Sequence, residues 1–201
     1  MEIIKIYNDN IAQNQIDRVV EVLKEGGVII IPTDTLYGVA CDALNPKAIE
    51  KVCRLKGINP EKTNLSILCD GISMVSDYAK FDNYAFKLMK DNTPGPFTFL
   101  FRTSNSLPRA FKGRKIVGIR IPDNEALKKI IETLQTPLLS TSITYRDEDY
   151  GINPDLIAEE YEDKADLMVM GSEGSLIPSA IVDCSGEEPE IIREGPIPLS
   201  V

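Results

Sequence analysis

The sequence predicts an α/β fold: a single domain built on one twisted, mixed β-sheet with flanking helices. Three observations carry this reading. Short apolar runs that suit strands intermingle with amphipathic segments of helical period along the whole length. Turn residues separate them, and no linker, internal repeat or low-complexity tract interrupts the series. The 201 residues, 43% hydrophobic and 26% charged, are enough to bury a large core and ordinary for a globular chain.

In order, residues 2–7 alternate as an edge strand. Ile16, Val19, Val20 and Leu23 fall at helical spacing within 11–24, and Gly26-Gly27 supplies the stop. Val28 to Ile31 is a buried central strand, since β-branched side chains favour extended backbone. Pro32 takes the chain out of the sheet into the hydroxyl-rich loop Thr33-Asp34-Thr35, followed by Tyr37 and Gly38. Asn45-Pro46 opens a second helix whose buried face is Ala48, Ile49, Val52 and Leu55. Strands are expected at 65–69, 97–101, 116–121, 138–141, 167–170, 180–184 and 190–193. Helices are expected at 72–78, 83–89, 125–134 and 153–161, with an acidic exposed loop at 146–150.

Composition removes whole classes of chemistry. There is no histidine, so Ser-His-Asp, Cys-His and most zinc catalysis have no residue to run on. Work must fall to Lys, Arg, carboxylates, hydroxyls and a bound magnesium ion. A net charge of −9 opposes a broad nucleic-acid surface and confines any basic footprint to a local cavity. Cys41, Cys53, Cys69 and Cys184 lie scattered in or beside apolar stretches, which predicts free thiols in a reducing compartment. No apolar run approaches the ~18 residues of a membrane span and no signal pattern opens the chain, so a soluble cytoplasmic protein is expected.

Familiar loops fail on inspection. Gly113 to Gly118 has phosphate-loop glycine spacing, but Ile119-Arg120 stands where Lys-Ser/Thr is required. Gly171 to Gly174 is too short for a dinucleotide fingerprint and reads as a surface turn. What remains is a set of strand ends and loops bearing hydroxyls or cations. They are Thr33 with Thr35, Lys56, Arg120, Ser140-Thr141-Ser142, and Ser179 with Arg193. Each alone serves equally well as local structure, in turns or at helix ends. Brought together, they would line a concave, positively charged pocket suited to phosphate, carboxylate or bicarbonate.

Six segments in order carry a family resemblance: Ile-Pro-Thr-Asp-Thr-Leu-Tyr-Gly, Arg-Leu-Lys-Gly, Pro-Gly-Pro-Phe-Thr-Phe-Leu, Val-Gly-Ile-Arg-Ile-Pro-Asp, Ser140-Thr-Ser142, and Ser179-Ala-Ile-Val-Asp183 with Ile-Ile-Arg-Glu-Gly at 191–195. Together they resemble the Sua5/YciO/YrdC family over about residues 15–195, within one YrdC-like domain spanning 1–201. The resemblance implies a twisted α/β fold with a positively charged cavity. It implies formation of threonylcarbamoyl-AMP from L-threonine, bicarbonate and ATP, with Mg²⁺ accompanying ATP and no protein-bound metal. A separate transferase would then modify tRNA. By the same resemblance Lys56 and Thr35 are the catalytic candidates. Thr33, Tyr37, Ser66, Thr98, Arg120, Ser140, Ser142, Ser179 and Arg193 are the substrate- or nucleotide-binding candidates, with Lys56 on phosphate or carbamate, Arg120 on the threonine carboxylate and Arg193 on the triphosphate.

Three positions depart from the synthase pattern. Ile58 stands where Lys-x-Arg has arginine, Thr144 where Ser-x-Asn has asparagine, and Asn64 where proline is usual. Arg54 and Lys62 are the cations near enough in sequence to fill the gap. These departures, with Phe86 to Met89 before Pro-Gly-Pro, bring the chain nearer the YciO branch. The alternative function is then an RNA-binding (including double-stranded RNA) or nucleotide-binding protein of the translation-factor type without efficient synthase activity.

Overall fold

The computed structural model describes residues 1–59, 65–107, 111 and 115–201. Lys62, Asn64 and Gly113 lie outside them. In chain order the elements are β1 (Glu2–Lys5), α1 (Gln13–Lys24), β2 (Ile29–Ile31), β3 (Gly38–Asp42), α2 (Pro46–Lys56), β4 (Ser66–Leu68), α3 (Ile72–Tyr78), β5 (Ala79–Lys80) and α4 (Asn83–Asn92). They continue with β6 (Phe97–Thr103), β7 (Ile116–Arg120), α5 (Glu125–Leu134), β8 (Leu138–Ser142), α6 (Asp149–Ile152), α7 (Pro154–Tyr161), β9 (Leu167–Met170), β10 (Ala180–Asp183) and β11 (Glu190–Arg193).

All strands among the described residues join one mixed sheet in the order β1-β9-β2-β3-β8-β4-β7-β6-β10-β11, with β5 added to β6. Side chains alternate between the faces of a strand, so register decides what each face carries. One face presents Val39, Leu139, Ile67, Ile119, Phe99 and Val182, buried against α2, α3, α4 and α7. Phe97, Phe99 and Phe101 stack along that face at ring separations of 6.2 and 6.1 Å. On the other face α1 and α5 cover Ile29, Ile31, Ala40, Leu68 and Leu138. Beyond those helices the second face is carpeted by small side chains. Ser140 lies opposite Ser66, which lies opposite Gly118, and Gly38 opposite Ser142.

Local sequence explains the helices that position the site. Asn45 accepts hydrogen bonds from the Lys47 and Ala48 amides, satisfying the N-terminus of α2. At its C-terminus Gly57 takes the left-handed conformation at φ 62°, turning the chain sharply between Lys56 and Ile58. Two strands escaped the sequence reading. β3 is Gly-Val-Ala-Cys-Asp, short of β-branched residues, and β5 has only two residues. The acidic loop at 146–150 is exposed as expected, but its end belongs to α6. Cys41, Cys53, Cys69 and Cys184 form no disulfide, and the first three are buried. No helix among the described residues is long and apolar enough to cross a membrane.

The hydroxyl-bearing face tolerates little added bulk. A Cβ on Gly118 would sit 2.4 Å from Ser66 Oγ and 3.2 Å from Thr98 Cγ2, and one on Gly38 would sit 2.6 Å from Ser140 Oγ. Gly118→Ala is expected to lose about 1–3 kcal/mol by overpacking, and adding Ser66→Gly should recover much of it. Urea unfolding of wild type and the two variants checks this, and an unperturbed single variant would contradict the close approach.

Candidate functional site

Between β2 and β3 the chain makes a hairpin through residues 32–37, and its side chains bond inward. Thr33 Oγ1 donates to Leu36 O at 2.7 Å and accepts from the Thr35 amide at 3.0 Å. Asp34 accepts from Arg120 Nη2 at 2.7 Å and from the Asp123 amide at 3.1 Å. Thr35 Oγ1 lies 3.1 Å from the same Arg120 nitrogen. The Arg120–Asp34 pair is shielded, with side-chain exposures of 11% and 9%, and it ties the loop to the end of β7. Arg120 Nε is buried with no partner. Burial lowers the guanidinium's pKa, Asp34 opposes that shift, and Arg193 adds to it by repulsion.

The loop, the small-residue floor and β10–β11 enclose a cavity of about 180 Å³. Ser140 and Ser142 on β8, Ser66 on β4, Thr98 on β6 and Gly118 alongside make the floor. Thr33, Tyr37, Ser179, Arg120 and Arg193 stand around it, with Ile58, Leu65 and Ile181 as apolar wall. Among the described residues the hydroxyls of Ser66, Ser140 and Ser142 have no hydrogen-bond partner, so they are free to meet a ligand. Others are already engaged. Thr98 Oγ1 and Ser179 Oγ are 2.8 Å apart. Arg193 Nε and Nη2 donate to Ser179 O at 3.0 and 2.8 Å. The Tyr37 hydroxyl donates to Ser172 O at 2.8 Å and accepts from the Gly171 amide at 3.1 Å, and burial raises its pKa to about 12.

Nine of the eleven sequence candidates therefore line one cavity: Thr33, Tyr37, Ser66, Thr98, Arg120, Ser140, Ser142, Ser179 and Arg193. Thr35 does not line it. That residue is 4% exposed, and its hydroxyl backs the cavity by holding Arg120 and Thr33. Lys56 stands behind the rim, where its Nζ donates to Ser142 O and lies 3.5 Å from Thr144 Oγ1. Burial lowers the Lys56 pKa from 10.5 to about 8. Arg54 cannot supply the charge missing at Ile58. It points into a separate surface hollow with Lys51 and Asp166.

Other residues of the site were not legible. Asp34 was visible in the loop, but nothing in the sequence pairs it with Arg120, 86 residues away. Ile181 follows from alternation once Ala180 and Val182 are known to be core. Tyr161 gave no signal. Its hydroxyl accepts from the Thr144 amide at 3.0 Å and donates to Thr144 O at 3.2 Å, fixing the residue beside Lys56.

A family model named Sua5_yciO_yrdC, described as telomere recombination, matches residues 21–195. The chain belongs to the Sua5/YciO/YrdC family. It is 34% identical over 193 residues to the uncharacterized protein YciO of Escherichia coli K12, covering 94% of this chain and 93% of YciO. The crystal structure of E. coli YciO matches with a TM-score of 0.89 over 98% of this chain and 97% of that one. A candidate threonylcarbamoyl-AMP synthase of Methanocaldococcus jannaschii is 32% identical over 98% of this chain and 95% of its own length. The crystal structure of P. abyssi Sua5 complexed with L-threonine matches at 25% identity and a TM-score of 0.87. This chain is covered to 99% in that match but spans only 59% of the Sua5 chain. The family's α/β fold, a mixed sheet with flanking helices, is thus present here.

Two predictions follow from the charges. Asp34→Ala leaves the Arg120 cation shielded without its counter-charge and should cost about 3–5 kcal/mol. Replacing both residues, Asp34→Ala with Arg120→Leu, should recover most of that loss in denaturant unfolding. Lys56 should acylate with an apparent pKa near 8, read by mass spectrometry of labelled peptides across pH. Because the folded value lies below the unfolded 10.5, the unfolded chain holds the extra proton between about 8 and 10.5. This group therefore makes folding more favourable as pH rises through that window.

Proposed function

We propose that residues 1–201 act as one YrdC-like unit that forms threonylcarbamoyl-AMP from L-threonine, bicarbonate and ATP. The observation that carries the reading is the convergence of Arg120, Arg193 and three unengaged serine hydroxyls on a single cavity. It is supported by the match of almost the whole chain to a Sua5 complexed with L-threonine. At about 180 Å³ the cavity is below the roughly 300–1,000 Å³ of sites that enclose drug-sized ligands. It holds an amino acid, and the nucleotide must extend from its mouth.

In this reading the threonine carboxylate lies against Arg120, whose buried Nε lacks a partner, and its side chain meets the serine floor. The amine nitrogen bonds to the carbon of CO₂ or bicarbonate and gives up a proton, bicarbonate also losing its hydroxyl as water. A carbamate oxygen then bonds to the α-phosphorus of ATP as the bond from that phosphorus to the pyrophosphate oxygen breaks. Arg193 and Lys56 meet the phosphates and the carbamate. With a pKa near 8, a fraction of Lys56 is neutral at physiological pH and can take the amine's proton. The rate gain comes from positioning and fixed positive charge.

Magnesium enters only as the ion carried on the ATP phosphates. Asp34, the carboxylate beside the cavity, is engaged by Arg120 and the Asp123 amide, so the residues present do not fit a protein-held ion. The adenylate would pass to a separate tRNA-modifying transferase in the cytoplasm.

One observation favours a second reading, a nucleotide- or RNA-binding protein without efficient chemistry. Ile58 contributes an apolar wall where the synthases place a guanidinium. Charge-assisted hydrogen bonds are worth roughly 1.5–3 kcal/mol each, about tenfold to a hundredfold.

Mass spectrometry of the protein incubated with ATP, Mg²⁺, L-threonine and bicarbonate separates the two readings. The proposal expects threonylcarbamoyl-AMP that depends on threonine and bicarbonate, is lost in Lys56→Ala, and rises about tenfold to a hundredfold in Ile58→Arg. If neither the protein nor Ile58→Arg yields product where an authentic synthase succeeds, the second reading stands.

A further inference from the structure

Lys80 on β5 lies directly opposite Arg102 on β6 in the antiparallel register. Opposed residues share a face with Cβ atoms about 4.5–5.5 Å apart, and like charges there repel. A third cation is adjacent: Lys115, whose carbonyl accepts from the Thr103 amide at 3.0 Å. The three line one hollow of about 670 Å³ with Thr103, Ile116 and Ser185, and among the described residues no carboxylate lines it. Ion pairs among the described residues are made by Arg18, Arg120, Lys128, Lys129, Arg146 and Lys164, and by none of these three. In a chain of net charge −9, three cations gathered without a counter-ion are an unpaid cost of folding.

The arrangement is also oriented. Arg102 Nε donates to Ser185 O at 3.0 Å, which fixes the guanidinium and leaves its two Nη groups for another partner. Alternation along β6 puts Arg102 on the same face as Thr98 of the cavity. Four residues separate them, about 13 Å at ~3.3 Å per residue. Arg102 therefore shares the sheet face of the candidate site, and the hollow shares no lining residue with that cavity.

We propose that Lys80, Arg102 and Lys115 bind the phosphate group of a small phosphorylated anion, at a site separate from the cavity. A planar guanidinium with two ammonium groups matches the several acceptor oxygens and double charge of a phosphate. The confinement of the cations to one hollow and the negative charge of the chain as a whole favour a small anion over a nucleic-acid strand, which needs a continuous basic track. The inference does not depend on the synthase reading.

The test is an NMR titration of the full chain at low ionic strength with inorganic phosphate and, separately, pyrophosphate. Saturable shifts are expected at the amides of Lys80, Arg102, Lys115 and Ser185. The double variant Lys80→Gln with Arg102→Gln should weaken this binding tenfold or more, and Arg193→Gln should not. Both patch residues are exposed, so an unchanged spectrum elsewhere shows that the variant folds. Thermal unfolding gives an independent arm: Lys80→Gln should be more stable than wild type without anion, and phosphate should raise the melting temperature of wild type more than that of the double variant. Shifts that never saturate, saturation confined to cavity amides such as Arg120 and Ser142, or equal stabilisation of both proteins would overturn the proposal. So would RNA bound at the patch that pyrophosphate cannot displace.

Discussion

The register of the central strands is the constraint on which the rest depends. From β3 through β8, β4, β7 and β6 the residues at the hollow are small or hydroxyl-bearing (Gly38, Ser140, Ser66, Gly118 and Thr98), while Val39, Leu139, Ile67, Ile119 and Phe99 pack into the core on the opposite face. A one-residue slip in any of these strands would send its apolar set to the wrong face, so the hydrophobic core and the hollow are specified together. The core side supplies the rigidity. The opposite face, roofed only in part by α1 and α5, keeps a polar concavity because Gly118 and Gly38 leave room for the serine hydroxyls across from them.

Onto that floor the chain adds charge from distant segments. Arg120 alone would be a nearly buried cation, and Asp34 from the hairpin loop neutralises it while placing Thr33 and Thr35. Arg193 is held by a backbone carbonyl rather than a carboxylate, so its charge remains available. The outcome is an acidic protein whose cavity carries positive charge at its wall, a distribution that draws anions to one place. The Lys80–Arg102–Lys115 cluster follows the same logic in cruder form, with cations concentrated where no acid answers them.

Much of this was legible before any coordinates. Asn45-Pro46 and Gly57 mark both ends of α2, residues 125–134 are α5 to the residue, and the Phe97-Thr-Phe alternation announces which side of β6 is core. Thr33, Arg120, Ser140, Ser142, Ser179 and Arg193 stand out in the sequence as hydroxyl- or cation-bearing strand ends and loops, but their convergence on one cavity is seen only in the structure. What escaped has a common physical cause. β3 is set by pairing with β2 and β8, not by its own propensity, and small residues at 38–42 give little local signal. The engagement of Tyr37 by Ser172, of Thr35 by Arg120 and of Thr144 by Tyr161 joins segments 17 to 135 residues apart. Hydrogen-bond partners at such separation leave no trace in local pattern. A hydroxyl's availability therefore cannot be read from local pattern: Thr35, expected as a catalytic residue lining the cavity, instead backs it with its hydroxyl at Arg120 and Thr33.

The central claim is that the hydroxyl-floored cavity receives an amino acid, with its carboxylate at Arg120 and a nucleotide reaching in from the mouth past Arg193. A crystal structure grown with L-threonine and a non-hydrolysable ATP analogue tests it most directly. The account predicts threonine on the floor formed by Ser66, Ser140 and Ser142, its carboxylate within hydrogen-bond distance of Arg120, and the analogue's phosphates toward Arg193 and Lys56. Threonine bound elsewhere, or a nucleotide that ignores Arg193, would contradict it.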